Sequence, residues 1–65
     1  MKKDLFKEYL KEARKEADAD VRVQKVECIN VAQDFGYPQS VFNAIIEATS
    51  INRLNTIMHT AMQYI

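Results

Sequence analysis

Two side chains in this sequence could act as nucleophile, base or soft metal ligand: Cys28 and His59, the single cysteine and the single histidine among 65 residues. A thiolate–imidazole pair needs the two helices that carry them to meet at those positions, and a third group to orient the imidazole. No residue is identifiable by type and spacing as that third group. Cys28 sits in a run of apolar helical positions, where cysteine serves as a small core residue more often than as a thiolate. His59 falls between Met58 and Thr60 at the border of an apolar stripe, the position of a partly exposed helix histidine. Two soft ligands are too few for a structural zinc site, and a chain with one glycine cannot build a glycine-rich phosphate loop. The sequence therefore predicts no enzyme activity, no catalytic residue, no metal and no cofactor. One thiol also excludes an intramolecular disulfide, which leaves a redox-linked dimer through Cys28 as a distant third reading.

The elements that hold these residues are organised around Ala32-Gln33-Asp34-Phe35-Gly36-Tyr37-Pro38-Gln39-Ser40-Val41-Phe42, which contains the only glycine and the only proline. Helical apolar spacing runs into it from Val26, Cys28, Ile29, Ala32 and Phe35. Gly36 stands where a helix C-cap belongs and accepts φ > 0 without a Cβ clash. Pro38 suits the first turn of a following helix, and Tyr37 before it is pushed toward extended backbone. Upstream, Leu5, Phe6, Tyr9, Leu10, Ala13 and Ala17 recur at three- and four-residue steps, predicting an amphipathic helix from Met1 to Ala17. Its polar side carries a basic rail (Lys3, Lys7, Lys11, Lys15) beside an acidic one (Asp4, Glu8, Glu12, Glu16), paired attractively at i,i+3. A break is expected at Asp18-Ala19-Asp20, where either aspartate could cap; one continuous helix to Phe35 is the alternative.

The second helix, Val21 to Phe35, has apolar residues on more than one face and is expected to be the most buried. A third runs from Pro38 to Ala48 with Val41, Phe42, Ile45 and Ile46 on one face. Thr49-Ser50 offers a cap for a fourth, from Ile51 to the end, with Ile51, Leu54, Ile57, Met58, Ala61, Met62 and Ile65 as its apolar set. The fold class expected is all-α: one domain over residues 1–65, a compact bundle of three or four helices with a helix-turn-helix-like corner at Gly36 and Pro38.

Ala32, Gly36 four residues on, and the apolar Val31, Phe35, Tyr37, Phe42 and Ile45 around them resemble the helix-turn-helix motif of bacterial DNA-binding proteins over about 20 residues, Ile29 to Ala48. The resemblance implies that the helix 38–48 enters the major groove, with Gln39, Ser40, Asn43 and Glu47 facing outward and Gln39, Ser40 and Asn43 as DNA contacts. The charge pattern opposes this. From Val26 to Asn52 there is no Lys or Arg, and there are three acids, Glu27, Asp34 and Glu47. Phosphate neutralisation supplies non-specific affinity, so a reading unit of this sign repels the duplex unless the lysines of the first helix and Arg53 are brought alongside. In its lysine-rich opening and small size the chain also resembles short helical accessory proteins of Gram-positive bacteria and their phages.

Lys plus Arg and Asp plus Glu number nine each, so net charge points to no polyanionic partner. With 48% hydrophobic residues the chain is globular, yet a chain this short buries only about 60% of its unfolded surface. Self-association is a common remedy. The reading expected from sequence is a non-enzymatic protein–protein interaction or regulatory module, self-associating through an apolar surface of Phe6, Tyr9, Leu10, Met58, Met62 and Ile65, with no nucleic-acid partner. The alternative is a helix-turn-helix regulator. No membrane-length apolar run or signal peptide is visible, which makes the cytoplasm the default location.

Overall fold

A computed structural model describes residues 5–64. Four helices, α1 (Leu5–Ala13), α2 (Ala19–Phe35), α3 (Gln39–Glu47) and α4 (Ile51–Tyr64), form an all-α bundle with no strand among the described residues. α2 touches the other three helices, whereas α1 packs on α2 and α3 and stays clear of α4. The bundle is flat, with Cα extents of 36 × 30 × 16 Å.

The first helix ends four residues earlier than its apolar spacing predicts. Lys15 N–H donates to Glu12 O at 3.1 Å and Glu16 N–H to Ala13 O at 3.2 Å, tightening the last turn to i,i+3 bonds before the chain leaves the helix. Ala13, with no exposed surface, is the last residue that burial can reward; Ala17 is exposed. The break expected at Asp18 is present. Asp18 is the N-cap of α2, and its Oδ1 accepts from Asp20 N–H at 3.0 Å and Val21 N–H at 3.2 Å, so a single continuous helix is excluded. Lys3 and Asp4 lie outside the described residues. Of the expected i,i+3 pairs, Glu12–Lys15 forms at 3.0 Å on an exposed face, where such a pair is worth little.

Gly36 closes α2 in the left-handed region, φ 67° and ψ 35°. Its N–H donates to Gln33 O at 3.2 Å, and Tyr37 N–H donates to Ala32 O at 2.9 Å. This pair of bonds is the Schellman arrangement, which satisfies carbonyls the helix end would orphan. Pro38 does not begin α3 as expected. It is the N-cap, with extended backbone, and α3 starts at Gln39 without a side-chain cap. Ser50 fills the expected cap of α4: its Oγ accepts from Arg53 N–H at 3.1 Å.

The core is built from Ile29 and Ala32 of α2, Val41, Phe42 and Ile45 of α3, and Leu54, Ile57 and Ala61 of α4, with Ala13, Val21 and Cys28 beside them. α2 carries more buried residues than any other helix, as expected, yet its apolar residues do not all turn inward: Val23, Val31 and Phe35 are exposed, because in so flat a bundle its outer side has no neighbour. On α4 the buried stripe is Leu54, Ile57 and Ala61, while Ile51 and Met62 face out.

Candidate interaction surface

The corner at Gly36 and Pro38 sets α3 across α2, and this placement distributes the candidate residues. Phe6, Tyr9 and Leu10 are half-buried and lean on the core. The Tyr9 ring stacks on Phe42 with centroids 5.0 Å apart and planes at 17°, and its hydroxyl donates to Asn43 Oδ1 at 3.1 Å. These three residues therefore spend much of their apolar surface holding α1 to the bundle. Met58 is half-buried and Met62 is exposed; Ile65 lies outside the described residues.

Gln39, Ser40, Asn43 and Glu47 are all exposed on α3, but they do not make one free reading face. Asn43 is engaged by Tyr9. Gln39 lines a cleft of about 190 Å³ with Leu5, Phe6 and Gln33. Ser40 stands instead on the rim of a second depression, a groove of about 350 Å³ between α3 and α4. The more buried lining residues of that groove, Val41, Ala44, Ile57 and Ala61, form an apolar floor, and exposed Arg53, Thr60 and Tyr64 complete its rim with Ser40. Its location follows from helix spacing: Ile57, Ala61 and Tyr64 recur at four and three residues and so share one side of α4.

Cys28 and His59 are not poised for joint chemistry. Cys28 is buried, and burial, then the charge of Glu27, pushes its thiol up from the ordinary value. It stays protonated at neutral pH, and the thiol is the unreactive form. His59 is exposed on α4. Among the described residues no group of three His, Cys, Asp or Glu side chains is placed to hold a metal ion.

The polar feature that sequence reasoning missed is Lys25. Its side chain is buried, its Nζ donates to Ile46 O at 2.9 Å, and it lies 3.8 Å from Glu16 Oε2. Arg22 Nη1 donates to the Glu16 backbone carbonyl at 2.9 Å. α3 has no basic residue in its own last turn, so Lys25 of α2 supplies the cation that a helix C-terminus favours, while Glu16 ties the α1–α2 turn to the same point. The signal was present in the sequence: Lys25 falls four residues after Val21 and four before Ile29, inside the core stripe. Lys25→Met keeps the aliphatic stem but removes the donor, and a cost of about 1–3 kcal/mol is expected, read as a lower urea midpoint with an unchanged slope.

No helix among the described residues is long and apolar enough to cross a membrane. Comparison with family models, with curated proteins and with solved structures finds no match to this chain.

Proposed function

We propose that this chain is a non-enzymatic protein–protein interaction module that works in the cytoplasm and docks through apolar side chains its own core leaves uncovered. The observation that carries the reading is the exposure of Phe35 (69%), Met62 (73%) and Tyr64 (80%) on a bundle whose buried polar side chains are all satisfied among the described residues. Scattered exposed apolar residues are ordinary, but large aromatic and methionine side chains are the anchors interfaces use, and Tyr64 also lines the groove between α3 and α4. A lone buried thiol suits a reducing compartment.

The helix-turn-helix reading retains one specific support, the tight α2–Gly36–α3 corner. Against it stand the lack of any Lys or Arg from Val26 to Asn52 and the engagement of Asn43 by Tyr9. Affinity capture from the native host's lysate, run with and without nuclease, separates the two. Capture that survives nuclease and is lost in Phe35→Ser combined with Met62→Ser is the expected result. Capture abolished by nuclease contradicts the proposal.

A further inference from the structure

The groove between α3 and α4 and the exposed end of α2 are complementary in shape class and in charge. Arg53 on the groove rim is the sole Lys or Arg from Val26 onward, and its guanidinium forms no ion pair among the described residues. At the end of α2, Val31, Asp34 and Phe35 stand at i, i+3 and i+4 and are all exposed, so they share one side of the helix. Asp34 likewise has no ion-pair partner among the described residues. Among the described residues the Phe35 ring touches one other ring, Tyr37, tilted at 5.6 Å. The groove offers about 350 Å³, ample for a phenyl ring, since an apolar cavity of about 150 Å³ already accommodates benzene.

We propose that the occupant of this groove is a second copy of the chain: Phe35 of one copy inserts over the floor of Val41, Ala44, Ile57 and Ala61 of the other, and Asp34 pairs with Arg53. The inference rests on the interaction-module reading and names its partner. Asp34 and Arg53 are opposite in sign, and each stands beside the apolar half of the same contact, so self-docking pairs them. A formal net charge of zero means that two copies meet without overall repulsion. If the contact is two-fold, both grooves fill at once; if it is head-to-tail, the chain forms longer assemblies.

Sedimentation of the whole chain from about 1 to 500 µM, a span of weak to moderate dissociation constants, tests the contact. Wild type is expected to show a mass that rises with concentration. Asp34→Arg and Arg53→Glu each place like charges across the contact and should raise the dissociation constant by about tenfold or more. Both positions are exposed, so the helical circular dichroism and melting of each variant should match wild type. An equimolar mixture of the two variants sets opposite charges against each other again and should recover association. A wild type that stays monomeric, a charge variant that associates as well as wild type, or a mixture that stays monomeric would each overturn the proposal. Nuclease-resistant capture of a different protein would still leave the broader module reading standing.

Discussion

Ile45→Ala is expected to lower stability by about 2–5 kcal/mol. Ile45 is fully buried at the centre of α3. A domain of this size has a total of about 3–10 kcal/mol, so this one substitution should remove a large fraction of it. Truncation removes transfer free energy and also leaves a cavity that the surrounding helices close only in part. Ile46→Ala is the control, because it deletes the same atoms from the next position, where the side chain is half-buried. Its loss should be clearly smaller, and the Lys25 bond should persist because it uses the Ile46 backbone carbonyl. Thermal melts followed by circular dichroism compare the two directly. Equal losses at 45 and 46 would mean that α3 does not face inward as described.

Gly36→Val is expected to cost about 1–2 kcal/mol or more, for a different reason. Nothing lies within 4 Å of a Cβ added at this position, so no neighbour is displaced. The cost is conformational: at φ 67° a Cβ crowds the following carbonyl, and a β-branched side chain is the worst tenant of that region. Gly36→Asn should lose less, because asparagine tolerates left-handed backbone. A melting temperature lower by about 5–15 °C for the valine variant follows from the usual conversion at this size. An unchanged melting temperature would show that the turn is not left-handed at this residue.

Much of this architecture is readable from the chain. A cap within Asp18-Ala19-Asp20, the cap at Thr49-Ser50 and the left-handed glycine follow from local chemistry, in which a side-chain acceptor or a missing Cβ acts within a few residues, although the sequence leaves open which aspartate caps and whether the first two helices are separate. What escapes is decided at longer range. The end of α1 at Ala13 depends on where burial stops rewarding the helix, since no glycine or proline marks it. The exposure of Val23, Val31 and Phe35 depends on how many neighbours surround α2, which an apolar count does not specify. Pro38 as N-cap instead of first helical residue is a one-residue shift, within the ordinary ambiguity of helix ends.

The candidate surface is less legible than the fold. Phe6, Tyr9 and Leu10 form a partner-like stripe in sequence, but in the structure they attach α1 to α2 and α3. Apolar spacing identifies a face that must be covered without saying whether the cover is the same chain or another. The α3–α4 groove is lined by residues of two helices brought together by the fold, a relation that no periodicity within either helix contains. Lys25 was concealed by its charge, because a lysine reads as solvated until its stem is seen running along the core to a carbonyl.

Protein recognition against DNA recognition is the central claim, and titration of labelled duplexes at ~150 mM salt tests it most directly. A DNA reader would bind specific sequence tightly at that salt, would weaken steeply as salt rises, and would lose about 1–3 kcal/mol of base discrimination in Gln39→Ala and in Asn43→Ala. With no base from Val26 to Asn52, the chain is expected to show only weak, sequence-independent binding, unaffected by either substitution. Sub-micromolar, sequence-dependent binding at that salt, lost in Asn43→Ala, would contradict the account and establish α3 as a recognition helix.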